Sequence, residues 1–237
     1  MLFSAPVYVL KRKAKRLARQ TGVALHQALD RVAVQEGYQN WGHLSARSGK
    51  DDAAQQVLAA LEPGDLCLVT ARPGQGKTLL GLELAANASR LCRKGYFFTL
   101  DYNERDVAEQ LGALGYEPAS VLERLVVDTS DEISAEHIAQ RLRTDNQPAL
   151  IVIDYLQILD QKRSNPSLDH QVRSLCAYAK ETEAMCVLIS QVDRSFDLSG
   201  RAMPSLADLR LPNPVDLSAF SRCVFLNDGK IRLDQAT

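Results

Sequence analysis

An α/β fold built on a mainly parallel sheet is predicted for most of this chain, with a small helical module in front of it. Three observations predict it. From Pro63 onward, short runs rich in Val, Ile and Leu alternate with amphipathic helical segments. The runs are apolar throughout rather than alternating, as expected when helices cover both faces of a sheet. The last two runs are joined across Asn227-Asp228-Gly229, and Asp-Gly supplies the positive φ angles of a tight hairpin turn.

In the helical module, Leu10, Ala14, Leu17 and Ala18 recur at spacings of three and four between Pro6 and Gln20. That spacing predicts a helix with one apolar stripe set against Lys11, Lys13, Lys15 and Arg19. Gly22 ends it. A second helix follows, with Leu25, Ala28, Leu29, Val32 and Ala33 on one face and Gly37 as its stop. Tyr38, Trp41 and Leu44 can pack on both. The polar stretch from Ser48 to Asp52 marks a junction, so the boundaries fall at residues 1–50 for the basic helical module, 51–62 for a linker helix over Ala53 to Leu61, and 63–237 for the α/β domain.

Within that domain strands are expected at Asp65–Thr70, Gly95–Leu100, Leu125–Asp128, Ala149–Asp154, Met185–Ser190, Arg222–Leu226 and Lys230–Leu233. Helices are expected over Lys77–Cys92, Glu104–Leu114, Ala135–Leu142 and Ser167–Glu181. The chain's 237 residues, 46% hydrophobic and 24% charged with 13 Gly and 9 Pro, exclude collagen-like and wholly disordered classes. No apolar stretch approaches the roughly 18 to 20 residues that span a bilayer. The N-terminus runs apolar first and basic afterwards, the reverse of a secretory signal, so a cytoplasmic protein without membrane attachment is expected. The five cysteines form no CxxC pair and the four histidines are dispersed; neither a zinc site nor a disulfide framework is supported, and buried thiols are expected. Charge is divided unevenly. Residues 1–50 hold nine Lys or Arg against two acids, Asp30 and Glu36, while the remainder has a net charge of −8.

After the first strand the sequence reads Ala71-Arg72-Pro73-Gly74-Gln75-Gly76-Lys77-Thr78, followed by the helical run from Leu79 to Ala88. Gly74 and Gly76 let backbone N–H groups turn inward around an anion, and a helix N-terminus adds partial positive charge. Lys77 can reach β and γ phosphates, and Thr78 can ligate Mg²⁺. Residues Arg72 to Leu79 are therefore the expected phosphate cradle, although the strict pattern begins with Gly where this chain has Ala71. Asp154 ends an aliphatic strand and is expected to hold Mg²⁺ beside that loop. ATP with Mg²⁺ is the expected cofactor, since no guanine-reading Asn-Lys-x-Asp is present. Asp101, ending the second strand and placed beside the loop by a parallel sheet, is the candidate base; Glu104 is the alternative, with helix N-terminus stabilisation as its plainer role. Gln191, after the strand Val187 to Ser190, is positioned to sense the γ phosphate.

Five blocks taken together resemble the RecA-like motor domain of replicative DNA helicases of the DnaB family. They are Ala71-Arg72-Pro73 before Gly76-Lys77-Thr78, Phe97 to Asp101, Ile153-Asp154-Tyr155-Leu156-Gln157, Ser190 to Arg194, and Pro204 to Arg210. The resemblance covers roughly residues 60 to 230. It implies an ATPase that self-associates, with a hexameric ring as the expected form, and contacts single-stranded DNA through channel loops. It also implies that Lys77, Thr78, Asp154 and Gln191 take the phosphate, magnesium and sensor positions. Asp101 stands where the family usually has Glu. The first 50 residues do not resemble the family's N-terminal domain, and only Lys230 and Arg232 remain as arginine-finger candidates before Thr237. Lys162, Arg163, Arg194 and Arg201 lie in loops that would face DNA. The basic N-terminal helix can track a nucleic-acid backbone or dock on an acidic protein surface. A nucleotide-dependent switch or scaffold without unwinding activity is the rival reading, and a small-molecule P-loop kinase a distant third.

Overall fold

A computed structural model of the chain describes residues 7–145, 147–211 and 213–235. Pro6 and Thr237 lie outside the described residues, as does the side chain of Lys11. The chain separates into two compact units, Met1–Ala53 and Ala54–Thr237.

The first unit contains α1 (Val7–Thr21), α2 (Leu25–Gln35) and the start of α3 (Trp41–Ala60). Gly22 and Gly37, at φ +66° and +86°, stop α1 and α2 as the glycines predict. Leu10, Ala14, Ala28, Val32, Ala33 and Leu44 form a buried cluster, with Leu17, Ala18, Leu29, Tyr38 and Trp41 packed on it. The Asp30 carboxylate accepts from the Trp41 backbone N–H at 2.8 Å, which meets one of the orphan donors at the start of α3. α3 is longer than expected. It runs unbroken through residues 48–52, where composition predicts a junction; Ser, Lys and Asp are only mildly unfavourable in a helix, and one Gly costs about 1 kcal/mol, so the polar stretch does not suffice to break it.

The second unit is a seven-stranded sheet in the order β3-β2-β4-β5-β1-β6-β7. Its strands are β1 (Leu66–Ala71), β2 (Lys94–Thr99), β3 (Leu125–Asp128), β4 (Ala149–Asp154), β5 (Met185–Gln191), β6 (Arg222–Asn227) and β7 (Lys230–Gln235). All neighbours are parallel except the β6–β7 hairpin, as the apolar runs and the Asp-Gly turn predict. The helices are α4 (Lys77–Ala86), α5 (Glu104–Ala113), α6 (Pro118–Leu122), α7 (Ala135–Arg143) and α8 (Leu168–Thr182). The helix expected to run to Cys92 ends at Ala86 and continues as a 3₁₀ turn over Ala88–Leu91. The short helix α6, opened by Pro118 at its first position, is not among the expected elements. At five residues it is too short to show a period.

Residues of one sheet face, among them Leu68, Tyr96, Phe98, Ile151, Ile153 and Leu188, share a core with Ile138 of α7 and with Val172 and Leu175 of α8. α4 lies on the opposite face, over β2, β4 and β5. Two glycines set how close it comes. A Cβ at Gly81 would stand 2.5 Å from Ile189 Cδ1 and 3.0 Å from Val152 Cγ1, and one at Gly95 would stand 2.1 Å from the backbone oxygen of Ala85.

The strand order sets where the strand ends fall. β2 does not lie next to β1; β5 and β4 separate them. Two sheets with the same strands can differ in order, and residue pattern alone does not fix it. The cysteines also divide differently from expectation: Cys67, Cys186 and Cys223 are buried, Cys176 is intermediate and Cys92 is exposed. Cys92 follows the 3₁₀ turn at φ +54°, at a surface corner where no sheet covers it.

Gly95→Ala and Gly81→Ala should differ in a predictable order. A methyl at residue 95 meets backbone that cannot rotate aside, so a loss of about 3 kcal/mol or more is expected; a methyl at residue 81 meets side-chain ends and should cost about 1–2 kcal/mol. Urea unfolding of the two variants checks the ranking.

Candidate nucleotide site

β1 ends at Ala71 in extended backbone, paired in register with Gln191 of β5. Ala therefore takes the place of the strict pattern's first Gly without strain, because a strand residue needs no positive φ. The loop beyond it turns on Gly74 and Gly76, at φ +80° and +83°. Gly76 is the N-cap of α4, and it has no side chain to satisfy the N–H groups of the first turn; no acid lies in that turn. The loop thus offers unsatisfied backbone donors at the positive end of a helix dipole, which is an anion site by construction.

Two side chains of the loop brace it against neighbouring elements. The Gln75 carboxamide oxygen accepts from the backbone N–H of Asp228 at the hairpin turn, 2.9 Å away. The Arg72 guanidinium donates to both carboxylate oxygens of Asp197 at 2.8–3.1 Å and to the Val192 carbonyl at 3.2 Å. Arg72 is thereby held toward the segment that follows Gln191, which leaves its backbone as what it can offer a phosphate. Arg72, Gln75, Phe196, Asp197, Arg201 and Asp228 line a cavity of about 340 Å³ beside the loop, together with Pro73, Gly200 and Asn227.

Lys77 and Thr78 open α4 and face Asp154 at the end of β4. Asp154 is 2% exposed. Burial pushes its carboxyl up to about 6, opposed by a hydrogen bond from Thr78 and by the charge of Lys77, while Asp101 pushes the same way as burial. Burial lowers the Lys77 ammonium, and Asp154 and Asp101 both act against that. The three groups are therefore one electrostatic cluster even though β2 is remote from β1. α4 bridges the gap, since it crosses both β4 and β2.

Asp154 Oδ2 has no hydrogen-bond partner, and the buried hydroxyls of Thr70 and Ser190, opposite one another on β1 and β5, have none either. A hydroxyl and a carboxylate side by side, one carboxylate oxygen unmet, form an all-oxygen donor set. That is the chemistry Mg²⁺ selects, so Thr78 and Asp154 fit the ion.

Asp101 is exposed, with its backbone N–H on the Thr99 hydroxyl at 3.2 Å. Glu104 is also exposed, in the first turn of α5, whose cap is a reciprocal pair between Asn103 and Asp106. Of the two candidate bases, Asp101 is the one in electrostatic reach of Lys77 and Asp154. Gln191 ends β5 one strand from the loop, its carbonyl accepting from Arg210 N–H at 2.8 Å. The Gln157 amide in turn donates to the Arg210 carbonyl at 3.1 Å.

The basic loop residues do not form one patch. Lys162 is paired with Glu132, and Arg201 with Asp208 while lying 5.5 Å over the Phe196 ring. Arg163 and Arg194 are exposed and carry no ion pair among the described residues. Arg232 is held by Asp234, by the Pro204 carbonyl at 2.9 Å and over the Phe225 ring, whereas Lys230 is exposed beside the hairpin turn.

Sequence reasoning missed Asp197, which orders Arg72 from 125 residues away, and Tyr102, whose phenol is pushed up by burial and then by Asp154 and Asp101. Tyr102 is signalled by nothing more than its place after the strand-ending Asp101. Asp197 has no signal, because its partner is distant in the chain.

A parallel sheet, a glycine loop at the end of its β1 strand, and a Thr and an Asp at the neighbouring element ends are the features of a RecA-like α/β fold. Residues 117–219 match the family model for the DnaB-like helicase C-terminal domain. The replicative DNA helicase DnaB of Pasteurella multocida (strain Pm70) is 24% identical over 232 residues, covering 82% of this chain and 49% of the relative. That of Mycoplasma genitalium (strain ATCC 33530 / DSM 19775 / NCTC 10195 / G37) is 25% identical over 200 residues, covering 69% and 42%. The chain spans about half the length of the curated relatives it matches. Among solved structures, the fold is shared with a DnaB-like replicative helicase described with its interactions with primase, at TM-score 0.62 and 18% identity over 98% of this chain and 72% of the other. It is shared too with a KaiC-like protein of the hyperthermophilic archaeon Pyrococcus horikoshii OT3, at TM-score 0.52 and 15% identity over 68% of this chain and 72% of the other. No helix among the described residues is long and apolar enough to cross a membrane.

A carboxyl lifted from 3.8 to about 6 costs about 3 kcal/mol at neutral pH, where it is ionised in both folded and unfolded states. The sign follows: in the nucleotide-free protein this penalty is absent below the unfolded value of 3.8 and complete above about 6. Asp154→Asn should therefore stabilise the nucleotide-free protein at pH 7.5 by about 1–3 kcal/mol and leave it nearly unchanged at pH 4. Thermal melting at both pH values, without Mg²⁺, checks this.

Proposed function

We propose that this chain binds and hydrolyses ATP with Mg²⁺ as a DnaB-like DNA helicase or translocase acting on single-stranded DNA, and that it works as a homo-oligomer, with a hexameric ring as the arrangement to test. The observation that carries the proposal is the cluster at the end of β4: a buried Asp154 whose Oδ2 has no hydrogen-bond partner, in the field of Lys77, which also feels Asp101. Such a cluster has no use in an empty fold, because it concentrates desolvated charge that only a phosphate and a cation would balance.

In this reading the backbone N–H groups of residues 74 to 78 bind the polyphosphate and Lys77 neutralises its terminal charge. Thr78 and Asp154 would hold Mg²⁺, which supplies Lewis-acid stabilisation of charge on the phosphoryl oxygens. Asp101 orients and deprotonates the attacking water, with Glu104 as the alternative base. Gln191 reads the γ phosphate, and its ladder contact with Ala71 and its carbonyl bond to Arg210 carry that reading into residues 192–210. Arg163, Arg194, Lys162 and Arg201 are the proposed DNA contacts, the first two directly and the paired two after exchange of partners. A cytoplasmic location accords with this chemistry.

The second reading, a nucleotide-controlled switch or scaffold without unwinding, is favoured by one observation. Arg232 is engaged by Asp234 and the Pro204 carbonyl of its own chain, and so is not presented to a neighbour. An arginine acting in trans contributes about 10³- to 10⁵-fold to phosphoryl transfer.

ATP turnover with and without single-stranded DNA, with mass recorded in solution, separates the two. Turnover stimulated at least tenfold by DNA, in a ring-sized species, is expected. Lys77→Ala should abolish nucleotide binding, and Asp101→Ala should lower turnover about 10²-fold or more while Glu104→Ala changes it little. Tight ATP binding with slow, DNA-indifferent turnover would establish the switch instead.

A further inference from the structure

The proposed ATPase makes no use of the most asymmetric feature of the chain, the charge of its first 50 residues. On α1 the apolar stripe is consumed internally: Leu10 is 1% exposed and Ala14 is fully buried, in a core with Ala28, Val32, Ala33 and Leu44. The opposite side of the helix presents Lys15, Arg16 and Arg19, with Lys13 at its edge, all exposed. Arg31 of α2 is exposed as well. None of these five cations has an ion pair among the described residues. α1 contains no acid, and Asp30 in α2 is engaged by the Trp41 N–H.

We infer that the cationic face of α1 is a nucleic-acid binding surface that grips the phosphate backbone without need of ATP. Three polyanionic partners would satisfy the charge, and the structure favours one. A membrane-surface helix has to bury its apolar face in lipid, but that face is already packed in the unit's own core. A protein interface has an apolar or aromatic centre from which Lys is depleted, whereas the exposed positions of α1 between residues 13 and 20 are Lys, Lys, Arg, Arg and Gln, with no apolar side chain among them. A backbone of regularly spaced phosphates needs only this: solvated cations along one line, with no pocket for a base. Lys15 and Arg19, four residues apart, lie on one side of the helix about 6 Å apart along its axis, and Arg16 flanks them. Contacts of this kind are insensitive to sequence and strongly weakened by salt. The surface would hold the chain on DNA between catalytic cycles, when the nucleotide site is empty.

The test uses the full chain and a fluorescein-labelled 30-nucleotide oligothymidylate, followed by anisotropy from 50 to 300 mM salt with no ATP present. The comparison is a variant with Lys13, Lys15, Arg16 and Arg19 all changed to Gln. These side chains are exposed, so the fold is retained, and circular dichroism verifies it. The expected result is binding weakened about tenfold or more at 50 mM salt and a salt slope shallower by about 3, as when four phosphates of a single strand are no longer neutralised. Oligouridylate of the same length should follow the same slope. With no ATP present, the result stands apart from the ATPase proposal. Wild-type affinity and slope in the four-fold variant would overturn the inference. So would loss of self-association in sedimentation with DNA binding unchanged, which would assign the face to an acidic protein surface. Binding of the unaltered chain to phosphatidylserine vesicles but not to the oligonucleotide would overturn it in favour of a lipid surface.

Discussion

The site depends on how closely α4 lies against the sheet. Its Gly81 rests on Ile189 and Val152, and the Ala85 carbonyl overhangs Gly95 with no room for a methyl group. That approach brings the first turn of α4 over the end of β4, two strands from the strand that launches the phosphate loop. Lys77 and Thr78 reach Asp154 because of it, and Asp101 at the end of β2 enters the same field. A helix standing one side-chain layer higher would leave the same residues present and the cluster dissolved. The cluster also works against the fold, since burying a carboxylate beside a desolvated ammonium is unfavourable until ligands arrive. Stability is supplied elsewhere, in the aliphatic layers between the sheet and α7 and α8.

Most of this architecture is legible in the residues, for reasons that are local. Aliphatic runs such as Leu150 to Ile153 declare buried parallel strands, and Asp228-Gly229 declares the hairpin. Gly74, Gly76, Lys77 and Thr78 declare an anion loop because few other purposes put two glycines before a helix. What is not legible is non-local. Strand order is decided by which edges meet in three dimensions, so the residues do not show that Asp101 ends a strand separated from β1 by β4 and β5 and yet couples electrostatically to Lys77. The Arg72–Asp197 pair has no signature for the same reason. The polar stretch at residues 48–52 lies close to the boundary of the compact units at Ala53, yet α3 continues through it: a polar composition marks a boundary without breaking a helix.

The two units divide the physics between them as well as the chain. The α/β unit holds charged groups in a buried cluster, which the proposed phosphate and metal would balance. The N-terminal unit keeps its core small and apolar and leaves Lys13, Lys15, Arg16, Arg19 and Arg31 on the outside. In the proposed reading one surface takes a single small ligand through fixed geometry, and the other a long polymer through charge alone. Their responses to ionic strength should accordingly differ, because desolvated groups are screened far less than exposed ones.

The bond between Gln75 and Asp228 uses the backbone N–H of the hairpin turn and not the aspartate's side chain. The phosphate loop therefore depends on where the turn stands and on the backbone it adopts, not on a contact with the residue-228 carboxylate. Asp228 and Gly229 hold that backbone at positive φ, so the turn tolerates only residues at ease in that conformation. Its shape, more than its charge, keeps the loop's brace within reach.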